Sequence, residues 1–310
     1  MRLCRILSIT TGEFVRLVSF EAKTMRGPGI LTEQGIFPLV DLGFENVIAF
    51  VEAGEAALTR ARGKLRNFSL DKFLSLDSVH LIAPVPRPPK ILCVGLNYRD
   101  HAVESKMEIP NVPTIFVKLS SAVIGADMPI CIPENIMQPD YEAELAVVIG
   151  KRGARIARED WQRYVFGYTI LNDVSARDVQ LATSQWTLGK SLDTFAPMGP
   201  WIVTKDEIPD PHNLDIRLSV GGEILQHSNT RHLIFGIPEL IEYISHLVPL
   251  EPGDIISTGT PSGVGLGRKP QRWLSAGEEV IIEIEKIGVL RNSVEFQSVE
   301  HESAATLAVT

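Results

Sequence analysis

The sequence predicts an α+β chain that is mainly β, with a small β-rich N-terminal domain over residues 1–85, a larger unit over 86–296 and a loose tail over 297–310. Three observations predict this. Strand-like apolar runs outnumber helical stripes throughout the larger unit. A cluster of Pro84, Pro86, Pro88 and Pro89 falls where neither a helix nor a central strand can continue. Helices do not alternate with strands, which excludes a doubly wound nucleotide fold.

Residues 1 to about 45 alternate short apolar stretches (ILSITTGEFVRLVSFEA, GIFPLVDLG) with glycine-containing turns, the pattern of short strands. From Ile48 to Lys72, Ala and Leu recur at helical spacing with arginines on the other face. After the prolines, ILCVGLNY reads as a buried strand. Further strand-like runs follow in TIFVKL, ELAVVIG, VFGYTILNDV, GPWIVT, DIRLSV, DIISTGT and EEVIIEIEKIGVLRN. One helix is expected after Ser175, which is placed to cap it. Another runs from Ile237 to Leu247, with Ile237, Leu240, Ile241, Ile244 and Leu247 as its apolar stripe. Pro238 suits its first turn and PLEPGD ends it.

The net charge of −8 and a pI near 5.5 argue against nucleic acid or an anionic membrane as partner. No apolar run approaches the roughly 18 residues of a membrane span. The N-terminal MRLCRILSITTGEF lacks the apolar length and cleavage site of a signal peptide. Cys4, Cys93 and Cys131, odd in number and without a CxxC pair, read as reduced, buried thiols of a cytoplasmic protein. Without a secretion signal, the glycosylation triplet at Asn67-Phe68-Ser69 is a chance match.

Two nucleotide motifs fail. LGKS at 188–191 has Ser184 where a phosphate loop needs its first glycine. GVGLG at 263–267 lacks the GxGxxG spacing and opens no helix. There is no HExxH, GxSxG or Cys/His cluster.

The segment QPDYEAELAVVIG, residues 138–150, carries chemistry. Read as a strand, it puts Asp140, Glu142 and Glu144 on one face. A solvated edge strand would tolerate that, but the run stays apolar on both faces as far as Ile149, which argues for burial. Buried glutamates on one face repel unless protons, a base or a metal ion compensates them. Asp173, where the next apolar strand gives way to a helix start, adds a third carboxylate. Three oxygen ligands suit Mg2+, Mn2+ or Ca2+ and not zinc.

Five stretches in order, ILCVGLNYRDHAVE, PDYEAELAVVIG, GYTILNDVSARDVQ, the lysine of LGKSLDTFAPMGP and PGDIISTGTPSGVG, resemble the fumarylacetoacetate hydrolase family and span residues 91–265. The resemblance implies a mixed β-roll or distorted β-barrel catalytic domain, and a homodimer. It implies that Glu142, Glu144 and Asp173 hold Mg2+ or Mn2+, and that His101, Glu104 and Lys190 are catalytic. It also implies substrate contacts from Arg177, Gln180 and Thr260. Residues 97–113 correspond to a mobile lid, and residues 1–85 resemble only the longer members of the family.

The residue types fit that chemistry. A divalent ion chelates a small 2-oxo acid and stabilises its enolate. His101 and Glu104 share a face if their segment is helical, so the carboxylate can orient the imidazole as a base. Lys190 can hold an oxyanion and Arg177 a carboxylate. The expected reaction is hydrolysis of a C–C bond in an acylpyruvate-type acid. The alternatives are oxaloacetate decarboxylation, hydratase or isomerase work on a related 2-oxo dicarboxylic acid, and a non-catalytic scaffold.

Overall fold

The computed structural model describes residues 15–298 except 24, 66–68, 70–71 and 106–107. The strands expected before residue 15, Cys4, Asn67, Phe68, two positions of the expected lid and the tail beyond 298 lie outside the described residues.

The chain begins with β1 (Arg16–Ala22), β2 (Arg26–Thr32) and β3 (Gly35–Pro38), paired antiparallel in sequence order. Gly35 has φ +124 at the second turn, where a Cβ would overlap the Leu74 carbonyl. The expected long helix is α1 (Val47–Leu65), broken at Gly54, whose φ of 57 and ψ of −138 leave the helical region. β4 (Val79–Ile82) returns antiparallel to β1.

Next come β5 (Ile91–Gly95), α2 (Arg99–Ser105), β6 (Thr114–Lys118), β7 (Val123–Ile124), β8 (Ile130–Pro133) and β9 (Pro139–Asp140). β10 (Ala143–Ile149) and β11 (Val165–Asn172) are buried at every position, as their unbroken apolar runs foretell. After β12 (Ser175–Ala176) there is no single helix but two short ones, α3 (Arg177–Gln180) and α4 (Thr187–Lys190). The expected Ser175 cap is corrected. Ala176 holds the N-cap position, and Ser175 Oγ donates to the Asp173 carbonyl at 2.8 Å because its residue is paired with Asp140 in β12–β9.

The chain ends with β13 (Ala196–Thr204), β14 (Asp215–Val220), β15 (Glu223–Asn229), α5 (Ile237–Leu247), β16 (Ile255–Ser257), β17 (Glu279–Ile284) and β18 (Gly288–Gln297). In α5 the Gly236 N–H donates to Glu239 Oε2 at 2.7 Å, closing the first turn. Four residues of its stripe are buried, while Leu247 at the end stays 70% exposed. Strands β4, β7, β8 and β15 carried no clear signal in the sequence: β4 spans four residues beside the proline cluster and β7 only two. β8 is four residues ending in proline, and β15 (EILQHSN) is polar over its second half.

Eleven strands form one open sheet whose main path runs β3-β2-β1-β13-β11-β10-β16-β5-β6. A second sheet runs β15-β14-β17-β18-β8, and neither closes into a barrel. One core joins Leu145, Val147 and Ile170 of the large sheet to Leu218, Ile282 and Leu240 of the smaller sheet and α5. The opposite face packs Ala146, Val148 and Leu171 against Phe50, Val51 and Leu58 of α1. The N-terminal strands continue the large sheet, since Arg16 and Leu17 pair with Val203 and Ile202 of β13. Cys93 is buried, while Cys131 is only partly so, a correction to the expectation that both are buried.

Candidate metal centre and its lid

The β10–β11 ladder positions the carboxylates. Ala143 lies opposite Asn172, so Glu142 and Asp173 are the next pair outward, joined by the Asp173 N–H to the Glu142 carbonyl at 2.9 Å. Glu144 sits one residue inside β10. Carboxylate oxygens of Glu142, Glu144 and Asp173 lie within 4.8 Å of one another, and all three residues are buried.

Three buried cations face them. Lys190 Nζ donates to Glu142 Oε2 and to Asp173 Oδ2, each at 2.9 Å. Lys118 Nζ donates to Asp173 Oδ1 at 2.7 Å and to the Val174 carbonyl at 3.0 Å. Arg177 Nη2 donates to Glu142 Oε1 at 2.5 Å and its Nε to Asp140 Oδ2 at 2.9 Å. Its Nη1 donates to Gln180 Oε1 at 2.8 Å, so the helical-turn spacing of these two residues does bring them together. Every guanidinium nitrogen of Arg177 is therefore engaged before any ligand arrives.

The compensation is uneven. Burial opposes the charge on Glu142, yet Lys190 and Arg177 outweigh it and hold that carboxyl at about 2. Among the described residues Glu144 accepts only from neutral donors, Ser257 Oγ and the Gly259 N–H. Burial, then Asp173 and Glu142, push its carboxyl well above the usual range. Four buried carboxylates, counting Asp140, meet three cations. A divalent cation among Glu142, Glu144 and Asp173 would supply the charge that Glu144 lacks, and three hard oxygen donors fit such an ion.

The part of the expected lid that carries His101 and Glu104 is helical, the condition under which the two side chains share a face. In α2 the His101 Nδ1 is 3.2 Å from Glu104 Oε2. The helix is docked: the Gly263 N–H donates to Glu104 Oε1 at 3.0 Å and Oε2 at 3.1 Å. Asp100 Oδ2 accepts from Ser228 Oγ at 3.0 Å and Ser262 Oγ at 3.3 Å. His101 is near enough to Glu142 for an imidazolium charge to favour that carboxylate. Thr260 Oγ1 accepts from Gln226 Nε2 at 2.9 Å, and Gln226 Oε1 accepts from the Ala143 N–H at 2.9 Å, which ties the late loop to the head of β10.

Several residues around the site escaped sequence reasoning. Lys118 had a signal, because a lysine closing the apolar strand TIFVK needs a carboxylate once buried. Asp140 was visible beside Glu142, but its partners, Arg177 and the Gly265 and Leu266 N–H groups, come from elsewhere in the chain. Asn97 staples the lid base, donating from Nδ2 to the Thr258 carbonyl at 2.7 Å and accepting the Phe235 N–H at 2.8 Å.

The family model for the C-terminal part of fumarylacetoacetate (FAA) hydrolase matches residues 90–295. The chain belongs to the fumarylacetoacetate hydrolase family. It is 46% identical over 288 residues to "Oxaloacetate tautomerase Fahd2a, mitochondrial" of Rattus norvegicus, covering 90% of this chain and 91% of that protein. Among solved structures, the maleylpyruvate hydrolase from Sphingobium has TM-score 0.78 at 32% identity, covering 91% of this chain and all of that one (100%). The fumarylacetoacetate hydrolase from Exiguobacterium antarcticum has TM-score 0.77 at 33% identity, covering 91% and 100%. This chain is thus a fumarylacetoacetate hydrolase family enzyme with a buried Glu-Glu-Asp group able to hold a metal ion.

Proposed function

We propose that this enzyme interconverts the enol and keto forms of oxaloacetate or a closely similar 2-oxo dicarboxylic acid, using Mg2+ or Mn2+. The observation that carries the proposal is the docked His101–Glu104 pair, near enough to act on Glu142, one of three clustered buried carboxylates. The name of the 46% identical rat relative supports the same reaction.

Tautomerisation needs a proton removed from the C2 oxygen and one delivered to C3. His101 takes and returns that proton, while Glu104 fixes the ring tautomer through Nδ1. A divalent ion held by Glu142, Glu144 and Asp173 supplies an electrophile for the 2-oxo acid when bound. Lys190 holds the negative charge that builds on the C2 oxygen. Arg177 is committed to Asp140 and Glu142, so its part is to set Glu142, and Gln180 and Thr260 are assigned the substrate contacts. Mixing enol-oxaloacetate with the enzyme and following loss of enol absorbance tests the proposal. A rate equal to the metal-only control would refute it.

Acylpyruvate cleavage is the second reading, supported by the fold shared with maleylpyruvate hydrolase. It uses the same base to activate water, and a parallel assay on acylpyruvates discriminates the two. We carry the cytoplasmic location and the homodimer as parts of the proposal, the second tested by sedimentation against the 34.2 kDa chain mass. Among the described residues no helix is long and apolar enough to cross a membrane.

A further inference from the structure

The stretch Gly263-Val264-Gly265-Leu266-Gly267 fails as a nucleotide motif, and the chemistry above gives it no part. Its backbone nevertheless grips two carboxylates at once. The Gly263 N–H holds both oxygens of Glu104. The Gly265 N–H donates to Asp140 Oδ1 at 2.7 Å and the Leu266 N–H to Asp140 Oδ2 at 3.0 Å. One loop thus joins the lid to the buried carboxylate cluster.

Its glycines serve different needs. Gly263 has φ +101, and a Cβ there would overlap the Leu225 carbonyl. A Cβ on Gly265 would overlap the Arg272 carbonyl. Gly267 is different. It ends a 3-10 turn, Gly265–Gly267, and is not among the positive-φ glycines. The three atoms nearest to a Cβ at 267 all belong to Glu104: Cδ at 2.6 Å, Cγ at 2.9 Å and Oε2 at 2.9 Å.

We propose that Gly267 is a positioning residue: the space left by its missing side chain is the seat for the Glu104 carboxylate, and through Glu104 it sets the His101 imidazole. Glu104 is the flexible partner in the contact. A methyl group at 267 is relieved by swinging that carboxylate away, which leaves the fold intact but breaks its bonds to the Gly263 N–H and His101 Nδ1. Fold and lid geometry therefore separate at this position. The catalytic consequence rests on the proton-transfer reading above; the seat itself does not.

The test is Gly267→Ala in the full chain. The thermal midpoint should move by no more than about 3 °C. Amide exchange across residues 98–105 should rise about tenfold or more, because α2 loses one of its docking contacts. The kcat for enol-oxaloacetate should fall on the order of 10²-fold with KM within about threefold. Adding Glu104→Asp, one methylene shorter, should recover slow exchange and part of kcat. Parent-like exchange in Gly267→Ala would overturn the seat, as would failure of Glu104→Asp to restore slow exchange. Faster exchange with parent-like kcat in both Gly267→Ala and His101→Ala would leave the seat standing and overturn the proton-transfer reading instead.

Discussion

The Lys118 ammonium donates to Asp173 Oδ1 at 2.7 Å with both side chains fully buried, the closest charge pair on the third carboxylate of the centre. Removing one partner of such a pair leaves an uncompensated buried charge, a cost of about 3–5 kcal/mol. Lys118→Met should therefore lower unfolding free energy by that order in metal-free buffer. Saturating Mg2+ should recover more stability in the variant than in the parent. Urea unfolding with and without Mg2+ checks this, and a loss below about 1 kcal/mol would show that Lys190 alone suffices for Asp173.

Metal binding should tighten as pH rises. The Glu144 carboxyl is raised well above 4.5 by burial and by Asp173 and Glu142. A raised acid contributes stability that is complete below its unfolded pKa and is lost as pH climbs through the folded one. Metal-free stability from Glu144 should thus decline above about pH 4.3. Glu142, held at about 2, works in the opposite direction, its contribution present at neutral pH and lost only as pH falls toward 2. Wherever the pH lies below the raised Glu144 pKa, a divalent ion has to displace the Glu144 proton, so calorimetry there in buffers of different ionisation enthalpy should reveal proton release on binding. Glu144→Gln, which has no such proton to release, should abolish it and weaken binding.

His101→Ala should reduce enol-oxaloacetate turnover by a factor on the order of 10² to 10⁴, the usual contribution of a general base. Metal affinity should stay within about threefold, since the imidazole is not among the three carboxylates proposed to hold the ion. Steady-state kinetics and Mg2+ titration on the same preparation separate the two. Parent-like turnover would remove His101 from the proton path.

The division near residue 85 can be tested by truncation. A fragment starting at residue 86 loses the strand opposite Ile202 and Val203 on β13, together with the Phe50, Val51 and Leu58 cover over Ala146 and Val148. Exposed edges and apolar faces of this kind associate. The fragment should therefore self-associate in sedimentation runs. A fragment that stays at the parent's oligomeric order with a parent-like thermal midpoint would establish the N-terminal segment as an independent unit.

The sequence alone determined what depends on near neighbours along the chain. β10 and β11 were legible because strands buried on both faces carry unbroken apolar runs, and α5 because its stripe repeats every three or four residues. The alternation of a strand puts Glu142 and Glu144 on one side, and a helical turn puts His101 over Glu104. Ser175, by contrast, has a cap's residue type but was taken by a strand pair with Asp140. The tertiary structure decided which charge meets which, because those partners lie far apart in the chain: Lys118 and Asp173 are 55 residues apart, and Glu104 and Gly263 are 159 apart. Local periodicity carries no record of such pairings. They arise when sheet register and loop path bring buried charges together, and each carboxylate then takes the donor that packing leaves within reach.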